Sequence, residues 1–383
     1  MNISDMNLVY LAILVMTRLL MSCIVVRYYS DGCELLRLLK LEKHAAASRL
    51  SYYKRWDPVL AFFPFIWTWI DVLVAVKIGY ALASLPVWLL VSVVVGGRFR
   101  SLQEYGHNAI HFALCPSHRW QYFLGEFFCQ APLLKPDMKA RQSTHSGQHH
   151  PHPNDVDRDP NLARVIKGGM VPGISPLQFG VNLLRPLGPK SIIGNGMGMV
   201  RNILLARSME SRIVRWSAIM IAGGMLFLAA GMEGVVFGWL LPVISFYQLF
   251  AWWALLAEHR WHVSSNATTR IDREFANARP TDYVGITGWL MRFFIAPTSD
   301  AYHLAHSLYP HVRWNYLPVI DAWLKVNEPR YTQHASQGFL LPSNGIPSAL
   351  SELYFRLTDG EQAHVAEVSD GNKLLIQREL TNA

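Results

Sequence analysis

Four long apolar stretches stand out along the chain, each bounded by charge. Residues 58–76 (PVLAFFPFIWTWIDVLVAV) carry a single charge, Asp71, and residues 78–97 (IGYALASLPVWLLVSVVVGG) carry none. Residues 216–232 (WSAIMIAGGMLFLAAGM) and 234–257 (GVVFGWLLPVISFYQLFAWWALLA) are also uncharged. About 20 apolar residues cross roughly 30 Å of hydrocarbon, so each stretch predicts a membrane-spanning helix. Only Lys77 separates the first two, and only Glu233 the last two, which predicts two helical hairpins. Residues 6–26 form a further apolar stretch, interrupted by Arg18. It is read as a spanning or interfacial helix, since no positive region precedes it and no small-residue cleavage site follows. A shorter stretch, 120–134, contains Glu126 and is read as interfacial or re-entrant.

The expected fold is all-α and integral to a membrane. Two transmembrane hairpins and an N-terminal helix carry a cytoplasmic helical cap. Three regions follow: a membrane-associated helix and basic linker over 1–54, a membrane domain over 55–325, and a cytoplasmic tail over 326–383. Within that tail, HVAEVSDGNKLLIQREL (364–380) alternates around Asp370-Gly371 and predicts a β-hairpin. Gly194-Asn-Gly-Met-Gly198 reads as a flexible loop. Trp67, Trp239, Trp252, Trp253 and Trp261 near the span ends read as an interfacial belt.

Composition sharpens this. Of 383 residues, 51% are hydrophobic and 16% charged, which excludes a disordered chain and argues against an ordinary soluble enzyme. The net charge of +8 suits an anionic membrane face better than nucleic acid. Lys40, Lys43, Arg49, Lys54 and Arg55 precede the first hairpin, Arg98 and Arg100 follow it, and Arg201, Arg207, Arg212 and Arg215 precede the second. Lys/Arg-rich flanks face the cytoplasm, here of a bacterial inner membrane. Four cysteines with no CxxC pair argue against an iron–sulfur cluster, a zinc ribbon or a disulfide scaffold.

Eleven of the 15 histidines fall in four clusters, all in the segments assigned to one face. His107-Asn-Ala-Ile-His111 places two imidazoles on one helix face. His145, His149 and His150 follow, with His152 just after. His259 and His262 stand at the end of the last span, and His303, His306 and His311 come later. Neutral imidazole suits iron, zinc, copper or nickel, and eight or more ligands exceed the need of one metal. No HExxH is present, which counts against a zinc protease. A His-rich metal-binding or transport membrane protein is the alternative of another class. It is disfavoured because a transporter places ionisable residues within its spans.

In combination, the motifs HNAIH, HSGQHHPHPNDVDRDP, AEHRWH and YHLAHSLYPHVRWNYLP resemble the histidine boxes of the membrane fatty-acid desaturase and hydroxylase superfamily. The two-hairpin layout resembles it too. The resemblance implies a di-iron site, two Fe ions, that turns O2 against an unactivated C–H bond. By position the ligands are then His107, His111, His145, His149, His150, His259, His303 and His306. One departure is visible: Ser307 stands where the family pattern has a further histidine. His262, His311 or an open position can make up that ligand. Acids beside the boxes, namely Glu104, Asp155, Asp157, Asp159, Glu258 and Asp300, are candidates to orient the ring nitrogens.

The resemblance further implies desaturation of a fatty acyl or similar lipid chain, with its head group at the basic face. Hydroxylation, ketolation or oxidative decarboxylation of a lipid or terpenoid chain is the alternative. No haem, flavin or cluster motif is visible in the sequence. Electrons are then expected from an external ferredoxin, rubredoxin or cytochrome b5-type donor with its reductase, and no nucleic-acid partner is expected.

Overall fold

The computed structural model describes residues 3–29, 35, 50–204, 209–263, 265, 267–342 and 345–359. Helix dominates throughout. The expected β-hairpin at 364–380 lies outside the described residues.

Helix α1 (Ile3–Tyr29) packs on α2 (Phe63–Leu82), which pairs with α3 (Leu85–Ile110). Three segments are long and apolar enough to cross a membrane: Asp57–Leu82, Leu85–Ile110 and Ser211–Glu258. The turn between α2 and α3 falls at Ala83 and Ser84, not at Lys77. Ala83 is left-handed (φ 43°), and Pro86 starts the next helix because it cannot continue the previous one. Lys77 stays inside α2, with its ammonium over the Tyr10 and Tyr80 rings.

The second hairpin turns inside α9 (Met209–Val235). Ala230 and Gly231 leave helical geometry there, Gly231 at φ 62°. The chain then folds back so closely that a Cβ on Gly223 would stand 3.0 Å from the Trp239 ring. After a wider π-turn (Val236–Leu240) and a break at Ser245, α10 (Phe246–Glu258) completes the hairpin.

Close approach at small residues lets these apolar helices pack tightly. Helix α3 shows this on two faces. A Cβ on Gly96 would lie 2.7 Å from Phe246 of α10, and one on Gly97 would lie 2.6 Å from Phe294 of α12 (Gly285–Phe294). A core of Phe65, Val72, Val95, Phe99, Leu226 and Val243 fills the centre, while Leu90, Met220 and Leu228 face outward. The lone span charges find each other: Arg18 Nε donates to Asp71 Oδ1 at 2.9 Å, and Arg98 approaches Asp71 Oδ2 at 3.5 Å. Arg98 and Arg100 are thus buried in α3 rather than lying in a charged flank.

The cap follows from the connections. Helix α4 (His118–Gly125) runs into a π-turn (Glu126–Gln130) whose Glu126 pairs with Arg215. Then come α5 (Met138–Thr144), α6 (Pro160–Lys167), α7 (Pro176–Leu183) and α8 (Pro189–Leu204). Gly194–Gly198 is therefore helical, not a loop. Ile193, Met197 and Val200 lie exposed on the same helix, which packs on the neighbouring helices.

Past α10 stand α11 (Arg270–Asn277), α12, α13 (His303–Leu308) and α14 (Leu317–Asn327). A two-residue parallel pair joins Thr281–Asp282 to Ser336–Gln337, and α15 (Ala349–Thr358) packs on α10. The tryptophans are interior rather than belt residues. Trp239 donates to the Pro132 carbonyl, Trp252 to Asn182 and Trp261 to Leu255, so each indole N–H is satisfied within the protein.

Candidate metal centre

Four separate pieces of chain deliver histidines to one place. His107 ends the buried face of α3, and His111 caps its C-terminus. The His145–His149 segment is a π-turn, closed by the His150 N–H on the His145 carbonyl. That wider turn puts His145 and His150 on one side and sends His149 to the other. An α-helix would instead have superposed His145 and His149. His259 follows the last residue of α10, and His303 and His306 lie on α13.

The Nε2 atoms converge in two groups. In the first, His107 lies 2.6 Å from His145, 3.2 Å from His111 and 3.3 Å from His306. His150 lies 3.2 Å from His111 and 3.1 Å from His145. In the second, His259 Nε2 lies 3.1 Å from His149 and 3.0 Å from His303. A carboxylate oxygen of Glu258 falls within 4.8 Å of His259 and His303 ligand nitrogens. Ser307 Oγ is 3.5 Å from His303 Nε2, so the departure from the family pattern falls on the second group.

Acids set several of these rings. His107 Nδ1 donates to Glu104 Oε2 at 3.0 Å, and His149 Nδ1 to Asp159 Oδ1 at 2.7 Å. A neutral imidazole that donates through Nδ1 presents a lone pair at Nε2. The Nε2 atoms of His107 and His149 are therefore lone pairs facing other ring nitrogens, which a cation between the rings would satisfy. Metal–imidazole bonds of about 2.0–2.1 Å place neighbouring nitrogens about 3 Å apart, close to the spacings here.

Protonation is no substitute. Burial, and then the neighbouring imidazoles, push His111, His145, His150, His303 and His306 well below the ordinary histidine range, and His259 down to about 3. His149 is the exception: burial lowers it, but the hydrogen bond and charge of Asp159 raise it overall. Neutral rings are what a transition metal binds. The donor set fits two cations held mainly by imidazole.

Other expected residues sit elsewhere. The His262 ring bonds to the Met170 carbonyl at 2.8 Å, and His311 Nδ1 donates to the His111 carbonyl at 2.6 Å. Neither ring enters the two groups, because each is tied to backbone. Asp155 accepts from the Asp157 N–H and stands 3.9 Å from Arg158, while Asp157 is exposed, so this pair forms a turn. Asp300 pairs with Arg100, which also holds Glu104.

One buried acid was not foreseen. Glu274 of α11 is buried, with an oxygen 3.6 Å from His150 Nδ1, and it faces the Ser307 hydroxyl and His259 as well. Burial raises its pKa. Its signal was an acid beside Ile271 and Phe275, the i, i+4 apolar pair on the packed side of a short helix.

Two comparisons bear on this geometry. The family described as fatty acid desaturase matches residues 82–338. A dihydrorhizobitoxine desaturase from Bradyrhizobium elkanii is 26% identical over 301 residues, covering 73% of this chain and 81% of that protein.

Proposed function

This chain belongs to the fatty acid desaturase family and is an oxidoreductase of the desaturase type; from that premise we propose that it holds two iron ions and desaturates a fatty acyl or similar chain. When bound, the irons supply O2 activation and removal of hydrogen from an unactivated C–H bond. His107, His111, His145, His150 and His306 would hold one iron. His149, His259 and His303 would hold the other, with the Glu258 carboxylate close enough to join them. The observation that carries this reading is the convergence of eight Nε2 atoms in two groups at 2.6–3.3 Å.

The surrounding residues orient and shield. Glu104 and Asp159 hold the Nδ1 protons of His107 and His149, which keeps both Nε2 lone pairs turned inward. Glu104 is itself fixed by Arg100 and by the Ser299 hydroxyl at 2.9 Å. Burial of His306, His259 and Ser307 keeps bulk water from the centre. The site faces the cytoplasm of a bacterial inner membrane, where an external ferredoxin, rubredoxin or cytochrome b5-type donor supplies electrons. The desaturase named as a relative supports desaturation as the outcome.

Metal analysis of the purified chain tests the reading. Two irons per chain are expected, together with an oxidised product in expressing cells that is lost with His149→Ala. Zinc in place of iron, or no metal, sinks it.

A further inference from the structure

The cavity that reaches the histidines is cationic. It measures about 260 Å³ and is walled by His107, His145, Lys135, Arg141, Arg164 and Tyr247 among others. It shares Lys135, Arg141 and Arg164 with a second cavity of about 440 Å³. There the α8 residues Gly194 and Gly198 form part of the wall, and a Cβ on either would meet nothing within 4 Å. Arg164 also opens onto an outer cavity of about 750 Å³, whose wall includes Lys167, Arg185 and Lys190 and no acid.

None of these six cations makes an ion pair with a carboxylate among the described residues. Among the described residues Lys135 Nζ donates to the Tyr247 hydroxyl alone, at 2.7 Å, and Tyr247 donates on to Gln103 at 2.5 Å. Arg141 Nε is buried without a hydrogen-bond partner among the described residues. Of the two acids on the inner wall, Glu104 is already matched by Arg100 and His107, and Glu258 sits with the second histidine group.

Gathering like charges around a partly enclosed space is unfavourable unless an anion enters it. Lys135 shows the strain: burial, and then Arg141, hold its pKa well below the lysine range. We propose that this cavity binds a carboxylate or phosphate group of the substrate, so that the molecule oxidised is a polar anion gripped by Lys135, Arg141 and Arg164 beside His107 and His145. The inner cavity of about 260 Å³ has room for the anionic group of that acyl or similar chain, and the outer cations draw it inward. This rests on the proposed oxidation at the histidine centre, but the anion site is testable without it.

The experiment is calorimetric titration of the full chain in phosphatidylcholine nanodiscs with succinate, inorganic phosphate and neutral succinamide. Phosphatidylglycerol nanodiscs serve as a further arm. Succinate or phosphate is expected to bind and succinamide not to. Arg141→Gln and Arg164→Gln should each weaken the anion by about tenfold, as loss of one charge-assisted bond does, with iron content unchanged. Arg141→Lys should recover part of the affinity.

Preference for succinate assigns a carboxylate, and preference for phosphate assigns a phosphate. Blocking of both probes in phosphatidylglycerol nanodiscs assigns the phosphate of a lipid head group. Equal binding of succinamide, no binding of any probe, or full anion affinity in both glutamine variants overturns the proposal. Absence of iron with anion binding intact defeats the oxidase reading alone.

Discussion

Asp159 serves two masters at once: its Oδ1 accepts the His149 Nδ1 proton at 2.7 Å and also the Asn161 N–H at 2.8 Å. The second bond makes Asp159 the N-cap of α6, with Pro160 in the first turn. Its other oxygen accepts the Asn154 N–H at 2.9 Å. The carboxylate that aims His149 at His259 is thus anchored by the start of a helix.

Asp159→Asn should therefore loosen metal without unfolding the chain, because Asn also caps helices well. Loss of a carboxylate behind a metal-bound histidine costs about 10–100-fold in metal affinity. Iron retention against a graded chelator checks this. Retention equal to wild type would show that Asp159 only caps α6.

The two-group division makes a crossed prediction. His306→Ala removes a ring from the first group and His303→Ala from the second. Each should lower iron from about two toward one per chain, and the spectroscopic signature of the surviving iron should differ between them. Identical residual signatures would mean that the histidines form a single site.

Ser307 is fully buried and 3.5 Å from His303 Nε2. If Glu258 supplies the ligand there, Glu258→Gln should lose the second iron and Ser307→His should restore it. The added ring overfills a packed site at a cost of about 1–3 kcal/mol, so melting temperature is measured alongside iron content. No recovery in a folded double variant would remove Glu258 from the centre.

Glu352 on α15 gives the pH prediction. Burial raises its pKa, but Arg279, Arg356 and Arg260 outweigh that and hold it down to about 2, against an ordinary value of 4.5. A carboxylate with a depressed folded-state pKa stabilises above its unfolded value and loses that contribution as pH falls through the folded one. Wild type should lose up to about 3 kcal/mol between pH 4.5 and pH 2 from this group. Glu352→Gln should start less stable at neutral pH and show a flatter profile across that window. Chemical denaturation at several pH values measures both.

The Arg18–Asp71 pair ties α1 to α2. Asp71→Leu leaves Arg18 and Arg98 without their shared carboxylate and should destabilise by about 1 kcal/mol or more in nanodiscs. Adding Arg18→Leu should recover part of the loss in thermal melts. Equal stability of wild type and the single variant would show that the pair contributes nothing.

Much of the scaffold was legible in the chain. Long uncharged runs suit helices, whose backbones satisfy themselves, so the helical content followed from hydropathy, and three segments long enough to span stand where four were expected. The turns shifted by a few residues, to Ala83–Ser84 and Ala230–Gly231, because proline and left-handed geometry end helices where charge alone does not. The glycine-rich segment at 194–198 misled for the opposite reason, since its surroundings outweighed its propensity. Glu104, Asp159 and Glu258 were visible as acids beside histidines. Glu274 was not, because its neighbour His150 is far away in sequence.

The chain alone set which residue types were available: long apolar runs, the histidines that converge in the fold, and one serine where a further histidine was expected. The tertiary structure decided their partition. His149 meets His259 across 110 residues, and His306 meets His107 across 199. A π-turn splits His149 from His150, and helix packing gathers cations from three segments, without carboxylate partners among the described residues, into one cavity. Periodicity encodes which face of an element a residue occupies. Which distant faces then meet depends on how closely the helices can pack, and that is a property of the whole fold.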